Sequence, residues 1–263
     1  MKTLFECVPF LDPASLNLDR LRHPLPDDGF HAEGIEYVAM LDAIERFAEG
    51  GSFTMMEAGA GWAPWLAMAG VVCRRLRVPD IRLIGIEASS KRFELMARHL
   101  SFNQLVEDEG VAVTLFEGAV WSHDGFVHFP DTEVTDMGAA ASGTALAADY
   151  RGRQNRNVEV PCTQLHSLVS EQQVIDFLHV DVQGGECRLL TSHRKWLDQS
   201  VKSMMIATHS RPLEGEIMLL LGEGNWQLLL EKPCRFDPGS AAKDWSGATT
   251  LDGSQYWLNG NLS

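Results

Sequence analysis

Two acidic residues stand at positions that could bind a nucleoside. The segment Glu57-Ala58-Gly59-Ala60-Gly61 directly follows the apolar run Phe53–Met56, and Pro64 then begins an apolar stretch of helical length. A glycine turn between a strand and a helix lets a ligand approach the backbone, and the helix N-terminus offers free N–H groups. Glu87 ends the next apolar run, where a carboxylate can accept hydrogen bonds from ribose hydroxyls. Together these features favour a nucleoside site over a plain tight turn and a helix-capping Glu.

The glycine turn departs from the pattern of dinucleotide-binding proteins. That pattern, G-x-G-x-x-G, needs a third small residue for close packing under a pyrophosphate, and this chain has Pro64 there. Glu57 would repel a pyrophosphate but suits the cationic sulfonium and ammonium groups of S-adenosylmethionine. S-adenosylmethionine is therefore the expected cofactor, with S-adenosylhomocysteine as its product. An NAD(P)-dependent oxidoreductase of Rossmann topology stays open as an alternative.

A second acidic stretch predicts the acceptor side of the site. Asp181 follows the apolar run Ile175–Val180, at the carboxyl end where open α/β sheets bind ligands. His209 follows the next predicted strand, Lys202–Ala207, and is the candidate general base because imidazole accepts a proton near neutral pH. Asp181 and His209 are the two predicted catalytic residues. His179 shares the face of Asp181 but lies one pleat deeper, as a buried, hydrogen-bonded core residue.

The residues that follow Asp181 indicate whether methyl transfer would need a metal ion. Gln183 supplies no second carboxylate there, so the sequence predicts transfer without a metal and no metal ligands. Glu186 fits equally well as an acid at a helix start, where negative charge is favourable, and as a residue of the site.

Strands and helices alternate from residue 52 onward, which predicts right-handed βαβ units and a mostly parallel, doubly wound α/β sheet of seven strands. The last two strands lack a helix between them, so the seventh should close the sheet antiparallel. The predicted strands are Phe53–Met56, Arg82–Ile86, Ala112–Phe116, Ile175–Val180, Lys202–Ala207, Trp226–Glu231 and Ser254–Leu258. The predicted helices between them are Pro64–Leu76, Lys91–Phe102 and Glu214–Gly222, and Leu189–Leu197 is expected to belong to a helix that Glu186 opens.

Two segments lie outside this alternation. Residues 1–50 contain several prolines and then a helix, Gly34–Phe47, and are predicted to form an N-terminal helical cap on the domain 51–263. Residues 126–164 interrupt the alternation with two short strands, Phe126–Phe129 and Val158–Pro161, around a loop rich in Gly, Ala and Ser. This insertion is expected at the functional edge of the sheet.

Composition excludes several classes of protein. The formal net charge of −14 is spread along the chain, whereas nucleic-acid binding needs a cationic surface. No apolar run approaches the roughly 20 residues that span a bilayer, and the first residues show no continuous apolar stretch, so we expect no secretory signal there. The five dispersed cysteines are typical of reduced thiols. We expect a cytoplasmic protein with a small-molecule acceptor and with no nucleic-acid or membrane partner. Whether it forms a homodimer stays open.

Four stretches, taken in order, resemble the FkbM-like family of S-adenosylmethionine-dependent methyltransferases. They are Glu57-Ala58-Gly59-Ala60, then Ile84-Gly85-Ile86-Glu87 with Asn103, then Gly118-Ala119-Val120-Trp121-Ser122, and finally the run from Asp176 to Glu186. The resemblance covers roughly residues 53–230. It implies a class I methyltransferase fold, S-adenosylmethionine as cofactor, and O-methylation of sugars or other small hydroxylated natural products. The chain departs from the family where Gly61, Ala63, Ala88, His166, His179 and Gln183 stand, the last replacing a usual Glu.

The residues and the resemblance together predict an O-methyltransferase. The predicted cofactor-binding residues are Glu57, Gly59, Ala60, Gly61, Glu87, Ala88, Glu117, Ala119 and Asp181. Because Gln183 replaces an acid of the acceptor side, a non-catalytic relative that binds the cofactor or only a protein partner is a further alternative.

Overall fold

The computed structural model describes residues 34–148, 153–154, 156–240, 242 and 245–262. Residues 1–33 of the predicted cap lie outside the described residues. Twelve strands are described: β1 (Ser52–Ala58), β2 (Asp80–Glu87), β3 (Val111–Glu117), β4 (Ala119–Val120), β5 (Gly125–Pro130), β6 (Asn157–Thr163), β7 (Ile175–Val180), β8 (Val201–Thr208), β9 (Trp226–Lys232), β10 (Arg235–Phe236), β11 (Thr249–Leu251) and β12 (Gly253–Asn259). Five α-helices are described: α1 (Gly34–Phe47), α2 (Pro64–Arg75), α3 (Ser90–Phe102), α4 (Glu186–Ser200) and α5 (Arg211–Gly222).

Seven strands form the central sheet in the order β3-β2-β1-β7-β8-β12-β9. The pairings from β3 through β8 are parallel, and β12 runs antiparallel between β8 and β9. The strand order reverses between β1 and β7, so the carboxyl ends of these two strands border a crevice where such sheets bind ligands. This is the seven-stranded, doubly wound α/β sheet that the sequence predicts, with its closing antiparallel strand.

Apolar residues on both faces of the sheet hold the helices in place. Phe177 and Leu178 are neighbours in β7, and their side chains point to opposite faces because strands have a period of two. Phe177 packs in a cluster with Met40 of α1 and Leu66 of α2, whereas Leu178 packs in a cluster with Ile217 of α5. Both faces of the sheet are therefore buried, and its site-bearing edge is the carboxyl end.

Local sequence explains where the helices begin. Ser89 caps α3 by accepting a hydrogen bond from the Arg92 N–H, and Ser210 caps α5 through the Leu213 N–H. Pro64 occupies the first turn of α2, where its missing N–H costs nothing. Glu186 begins α4, at the helix start that the sequence indicates for it, and the predicted segment Leu189–Leu197 lies within this helix.

The two predicted strands of the insertion, β5 and β6, form a second sheet in the order β4-β6-β5 with β4, which lies before the predicted insertion and was not predicted. Its strands enclose a small apolar cluster with Trp121, Phe129 and Val160, separate from the two main clusters. A short antiparallel pair, β10 with β11, lies between the last two predicted strands and was not predicted. Among the described residues, no helix is long and apolar enough to cross a bilayer.

Candidate active site

A cavity of about 350 Å³ opens at the carboxyl ends of β1, β2 and β7. This volume lies in the usual range of small-ligand sites. The predicted cofactor residues that line it are Gly59, Gly61, Glu87, Ala88, Ala119 and Asp181. The cavity is bounded on the far side by the insertion, through Phe129, Met137 and Ala141. The structure thus brings six of the nine predicted cofactor residues together.

The glycine turn brings the β1–α2 loop against the end of β7. Gly59 has φ of +82°, and a Cβ atom there would lie 1.8 Å from the backbone oxygen of Asp181. The N–H groups of Gly59 and Ala60 both donate to the Ile86 carbonyl, at 3.0 and 2.8 Å, which anchors the loop on β2. Only glycine allows this close approach, so Gly59 sets the floor of the cavity.

Glu87 ties the same loop to the start of α3. Its carboxylate accepts hydrogen bonds from the N–H of Gly61 at 2.8 Å and of Ser89 at 2.8 Å, and from the buried guanidinium of Arg92 at 3.2 Å. A carboxylate has about four acceptor positions, so one remains for a ligand hydroxyl. Glu87 therefore both caps a helix and lines the cavity. In the sequence analysis these two roles were alternatives.

The remaining three predicted cofactor residues do not line the cavity. Ala60 is buried within the loop, and Glu117 is exposed at the end of β3. Glu57 is enclosed beneath the glycine turn, where its carboxylate accepts the Leu66 N–H at 3.0 Å. Burial raises the pKa of Glu57 to about 8 despite the opposing charge of His179. Any influence of Glu57 on a bound cation would therefore act through the loop.

A stacked pair forms one wall between the cavity and the insertion. The guanidinium of Arg188, in the first turn of α4, lies 3.8 Å from the centre of the Trp121 ring. Cation–π contact of this kind holds an arginine in a fixed orientation. Both side chains line the cavity, so Trp121 contributes a flat aromatic surface and Arg188 a positive charge.

A second cavity of about 320 Å³ adjoins the first. The two share Ala141, Gln183, Gly185 and Arg188, and only the second is lined by His209. Arg188 brings a positive charge to the second cavity, and Ser142, Asn157 and Ser246 add uncharged polar groups to its lining. Two adjoining cavities, one at the glycine turn and one at His209, are what a reaction between two bound molecules requires.

Asp181 and His209 lie at the boundary between the cavities. The Nε2 atom of His209 is 3.1 Å from Oδ1 of Asp181, and the histidine side chain is 94% buried. Gln183 donates its amide to the same Oδ1 atom at 2.7 Å, and its own backbone has a positive φ of 57°. Burial raises the pKa of Asp181, with the His209 charge opposing the shift. The two predicted catalytic residues are brought together, as expected from adjacent β7 and β8.

Glu186 lies beside Asp181 and His209, and the sequence alone did not decide between a role in the site and a helix-start role for it. Its carboxylate folds back to accept the N–H of Val182 at 3.0 Å and of Gly184 at 2.9 Å. Oε1 of Glu186 is also 3.8 Å from Nε2 of His209. The prediction of metal-free transfer assumed no second carboxylate beside Asp181, and Glu186 removes that premise. Gly184, with φ of +95°, provides the tight turn that returns Glu186 to the site.

His179 is buried as predicted and stays away from the acceptor side. It is 3% exposed, and its Nε2 lies 3.2 Å from the Glu36 carboxylate of α1. The described part of the N-terminal cap therefore packs onto β7 beneath the site, through the Glu36–His179 contact.

Comparison with known proteins assigns the family. The model of the FkbM methyltransferase domain matches residues 67–225, more than half of the chain. The chain belongs to the FkbM methyltransferase family. A protein of Jannaschia sp. (strain CCS1), provisionally named a methyltransferase, is 31% identical over 225 residues, which are 80% of this chain and 74% of that protein. Membership in the FkbM family decides against the oxidoreductase alternative.

Two solved structures illustrate how distant the structural relatives are. The N-terminal domain of human METTL16, in complex with SAH, has a TM-score of 0.45 and 11% identity over 86% of this chain and 68% of that chain. Precorrin-6y C5,15-methyltransferase from Geobacter metallireducens GS-15 has a TM-score of 0.46 and 9% identity over 86% and 88%.

S-adenosylmethionine is the cofactor of the FkbM methyltransferases, and the first cavity fits it. Glu87 keeps an acceptor position for a ribose hydroxyl, and the bare backbone at Gly59 and Gly61 allows close approach. The carboxylate of Asp181 lines the same cavity and suits an ammonium group. When bound there, the cofactor supplies an electrophilic methyl group.

Proposed function

We propose that this chain transfers the methyl group of S-adenosylmethionine to a hydroxyl oxygen of a sugar or another small natural product. The observation that carries the proposal is the pair of adjoining cavities, with Asp181 and His209 3.1 Å apart where they meet. Donor and acceptor molecules bound in the two cavities would face each other at this boundary. Holding two reactants in line lowers the barrier by several kcal/mol without further chemistry.

The donor side is assigned to residues that surround the first cavity. Gly59, Gly61 and Glu87 would hold the nucleoside, because they form the loop and the strand end that border it. Ala88 and Ala119 would leave room for the flat base, and the Trp121 ring offers it a stacking surface. Asp181 would face the charged amino-acid portion of the donor.

The acceptor side is assigned to the second cavity. Ser142, Asn157 and Ser246 give it hydroxyl and amide groups, and no carboxylate appears in its described lining. Such groups hydrogen-bond to hydroxyls without competing for the methyl group as charged nucleophiles would. A small polyhydroxylated molecule of sugar size suits both the volume of about 320 Å³ and this lining.

Removal of the hydroxyl proton is assigned to His209 in the metal-free protein. Its imidazole lines the acceptor cavity, and neither ring nitrogen has a hydrogen-bond partner within the described chain. The carboxylate of Asp181 at 3.1 Å would stabilise the imidazolium that forms when His209 takes the proton. Asp181 would thus serve both the donor and the base.

A transfer screen tests the proposal. Purified full-length protein would be incubated with methyl-labelled S-adenosylmethionine and a panel of sugars, glycosides and phenolic natural products, with labelled product identified by mass spectrometry. We expect label on oxygen of at least one hydroxylated acceptor, and loss of that product in His209→Ala. Binding of S-adenosylhomocysteine without transfer to any acceptor class would favour the non-catalytic alternative. Label on nitrogen or carbon alone would refute O-methylation.

A further inference from the structure

We propose that Asp181, Glu186 and His209 form a site for a divalent first-row metal ion. One donor atom from each residue lies within 4.8 Å of the other two, and all three stand where the two cavities meet. The inference deepens the proposed function, since the ion would act on the acceptor bound there. Binding of the ion itself depends only on these three residues.

His209 provides the observation that points to a ligand. It is 94% buried, yet neither Nδ1 nor Nε2 makes a hydrogen bond within the described chain. Nε2 lies 3.1 Å from Asp181 and 3.8 Å from Glu186, but neither contact has the angles of a hydrogen bond. A buried polar atom without a partner costs free energy, about 1–3 kcal/mol. A metal ion between the nitrogen and the carboxylates would satisfy it.

The spacing of the donor atoms agrees with a shared ion. Carboxylate oxygens and imidazole nitrogens bind such ions at about 2.0–2.2 Å, so two ligands at a right angle are about 3 Å apart. The distance of 3.1 Å between His209 and Asp181 matches this value. The distance of 3.8 Å between His209 and Glu186 corresponds to a wider angle around the same ion.

Charge supports the assignment. Asp181, whose side chain is about one-third exposed, and the fully buried Glu186 bring two carboxylates together, and no Lys or Arg among the described residues forms a salt bridge with either. Two carboxylates whose oxygens lie within 4.8 Å of each other repel when both are ionised. A divalent cation would neutralise the pair and remove this penalty.

Neighbouring groups hold the ligands in position. The N–H groups of Val182 and Gly184 fix the Glu186 carboxylate, and the amide of Gln183 fixes that of Asp181. Hydrogen bonds of this outer kind are typical of metal sites, since they orient the ligands before the ion binds. Gln183 meets Asp181 as a neutral donor, where a Glu would add a third negative charge.

The donor set selects the class of ion. Carboxylates suit Mg²⁺ and Mn²⁺, and imidazole suits Zn²⁺ and Fe²⁺, so one histidine with two carboxylates favours a first-row ion such as Mn²⁺. Three protein ligands leave coordination positions open toward the acceptor cavity that His209 lines. A hydroxyl bound there would lose its proton more readily, as water does on zinc. In the loaded protein His209 would be a ligand, and the hydroxyl proton would leave to water.

Mn²⁺ is the probe for the test, because its binding is read directly by electron paramagnetic resonance. Full-length protein stripped with EDTA would be titrated with Mn²⁺, and a pulsed spectrum would be searched for coupling to nitrogen. We expect one Mn²⁺ per chain with micromolar affinity and a ¹⁴N coupling from an imidazole. No saturable Mn²⁺ binding, or binding without nitrogen coupling, would overturn the site.

Variants locate the ion and separate this inference from the proposed function. His209→Ala and Glu186→Gln should weaken Mn²⁺ binding at least tenfold, whereas His123→Ala, an exposed histidine outside the site, should not. Retained S-adenosylhomocysteine binding would show that the variants are folded. Methyl transfer in EDTA-treated protein that binds no Mn²⁺ would refute the site and leave the proposed function standing. Mn²⁺ binding that needs His209, in a protein that transfers no methyl group, would establish the site alone.

Discussion

The backbone N–H of Gly61 donates a 2.8 Å hydrogen bond to the carboxylate of Glu87, which ends the neighbouring strand β2. This bond joins the two sequence features that first indicated a nucleoside site. It also means that the carboxylate shapes the glycine turn as well as facing the cavity. Changes at Glu87 should therefore affect both cofactor binding and stability.

Replacing Glu87 by Gln should weaken S-adenosylhomocysteine binding by about 1.5–3 kcal/mol, the value of hydrogen bonds to a charged group. The measurement is isothermal titration calorimetry, with Glu231→Gln on the exposed edge strand β9 as the matched control. Stability should also fall, because Arg92 is 4% exposed and loses its only carboxylate partner among the described residues, keeping the Asp136 carbonyl. Unchanged affinity in a folded Glu87→Gln variant would remove Glu87 from the cofactor site.

Gly59→Ala should disrupt the cofactor loop. Its Cβ would lie 1.8 Å from the Asp181 backbone oxygen, so the loop or the end of β7 must move. Gly184→Ala is the matched control, because it also has a positive φ but has no atom within 4 Å of the added Cβ. We expect Gly184→Ala to cost about 1 kcal/mol of unfolding free energy, and Gly59→Ala to cost more and to weaken S-adenosylhomocysteine binding at least tenfold. Equal effects of the two variants in thermal unfolding and calorimetry would contradict this geometry.

Glu57 should make stability fall as pH rises. Its pKa is about 8 in the folded protein against 4.5 for the free group, so the folded state binds the extra proton between these values. The free energy of unfolding should therefore decrease with pH in this window, by at most about 1.4 kcal/mol per pH unit for one proton. Glu57→Gln removes this dependence of stability on pH. In urea unfolding, the free energy of unfolding of the variant, relative to that of the wild type, should therefore be higher at pH 8 than at pH 5. A constant difference between the two proteins would show that Glu57 ionises freely.

In the metal-free protein, His209→Ala should lower kcat by about 10²–10⁴, the usual contribution of a general base. Cofactor affinity should stay near that of the wild type, because His209 does not line the first cavity. Steady-state kinetics with an identified acceptor, with calorimetry on the same preparation, separates the two effects. Near-normal turnover of the variant would mean that positioning the donor and the acceptor is enough for the reaction. A defect mainly in cofactor binding would place His209 on the donor side.

The sequence predicted the sheet well because its strands alternate with helices and carry continuous apolar runs. Ile175–Val180 and the helix Gly34–Phe47 have the predicted bounds, and Ser89 caps α3 as expected. The short pair β10–β11 was not predicted, because strands of two and three residues are too short to show a periodic pattern.

The site was predictable in its strand-end residues and less so in its loops. Asp181 and His209 meet because β7 and β8 are adjacent and parallel, which strand order alone suggests. Glu186 meets them because Gly184 turns the chain back, and the conformation of that turn cannot be read from residue spacing. Glu57 is enclosed rather than exposed to the cavity for the same reason, since the path of the β1–α2 loop decides which side chains it covers.

The most direct test of the account is the cofactor preference of the purified protein. Isothermal titration calorimetry would compare S-adenosylhomocysteine with NAD and NADP under identical conditions. We expect S-adenosylhomocysteine to bind once per chain with micromolar affinity, about −8 kcal/mol, and neither dinucleotide to bind measurably. Micromolar binding of NAD or NADP with no binding of S-adenosylhomocysteine would contradict the assignment of the first cavity.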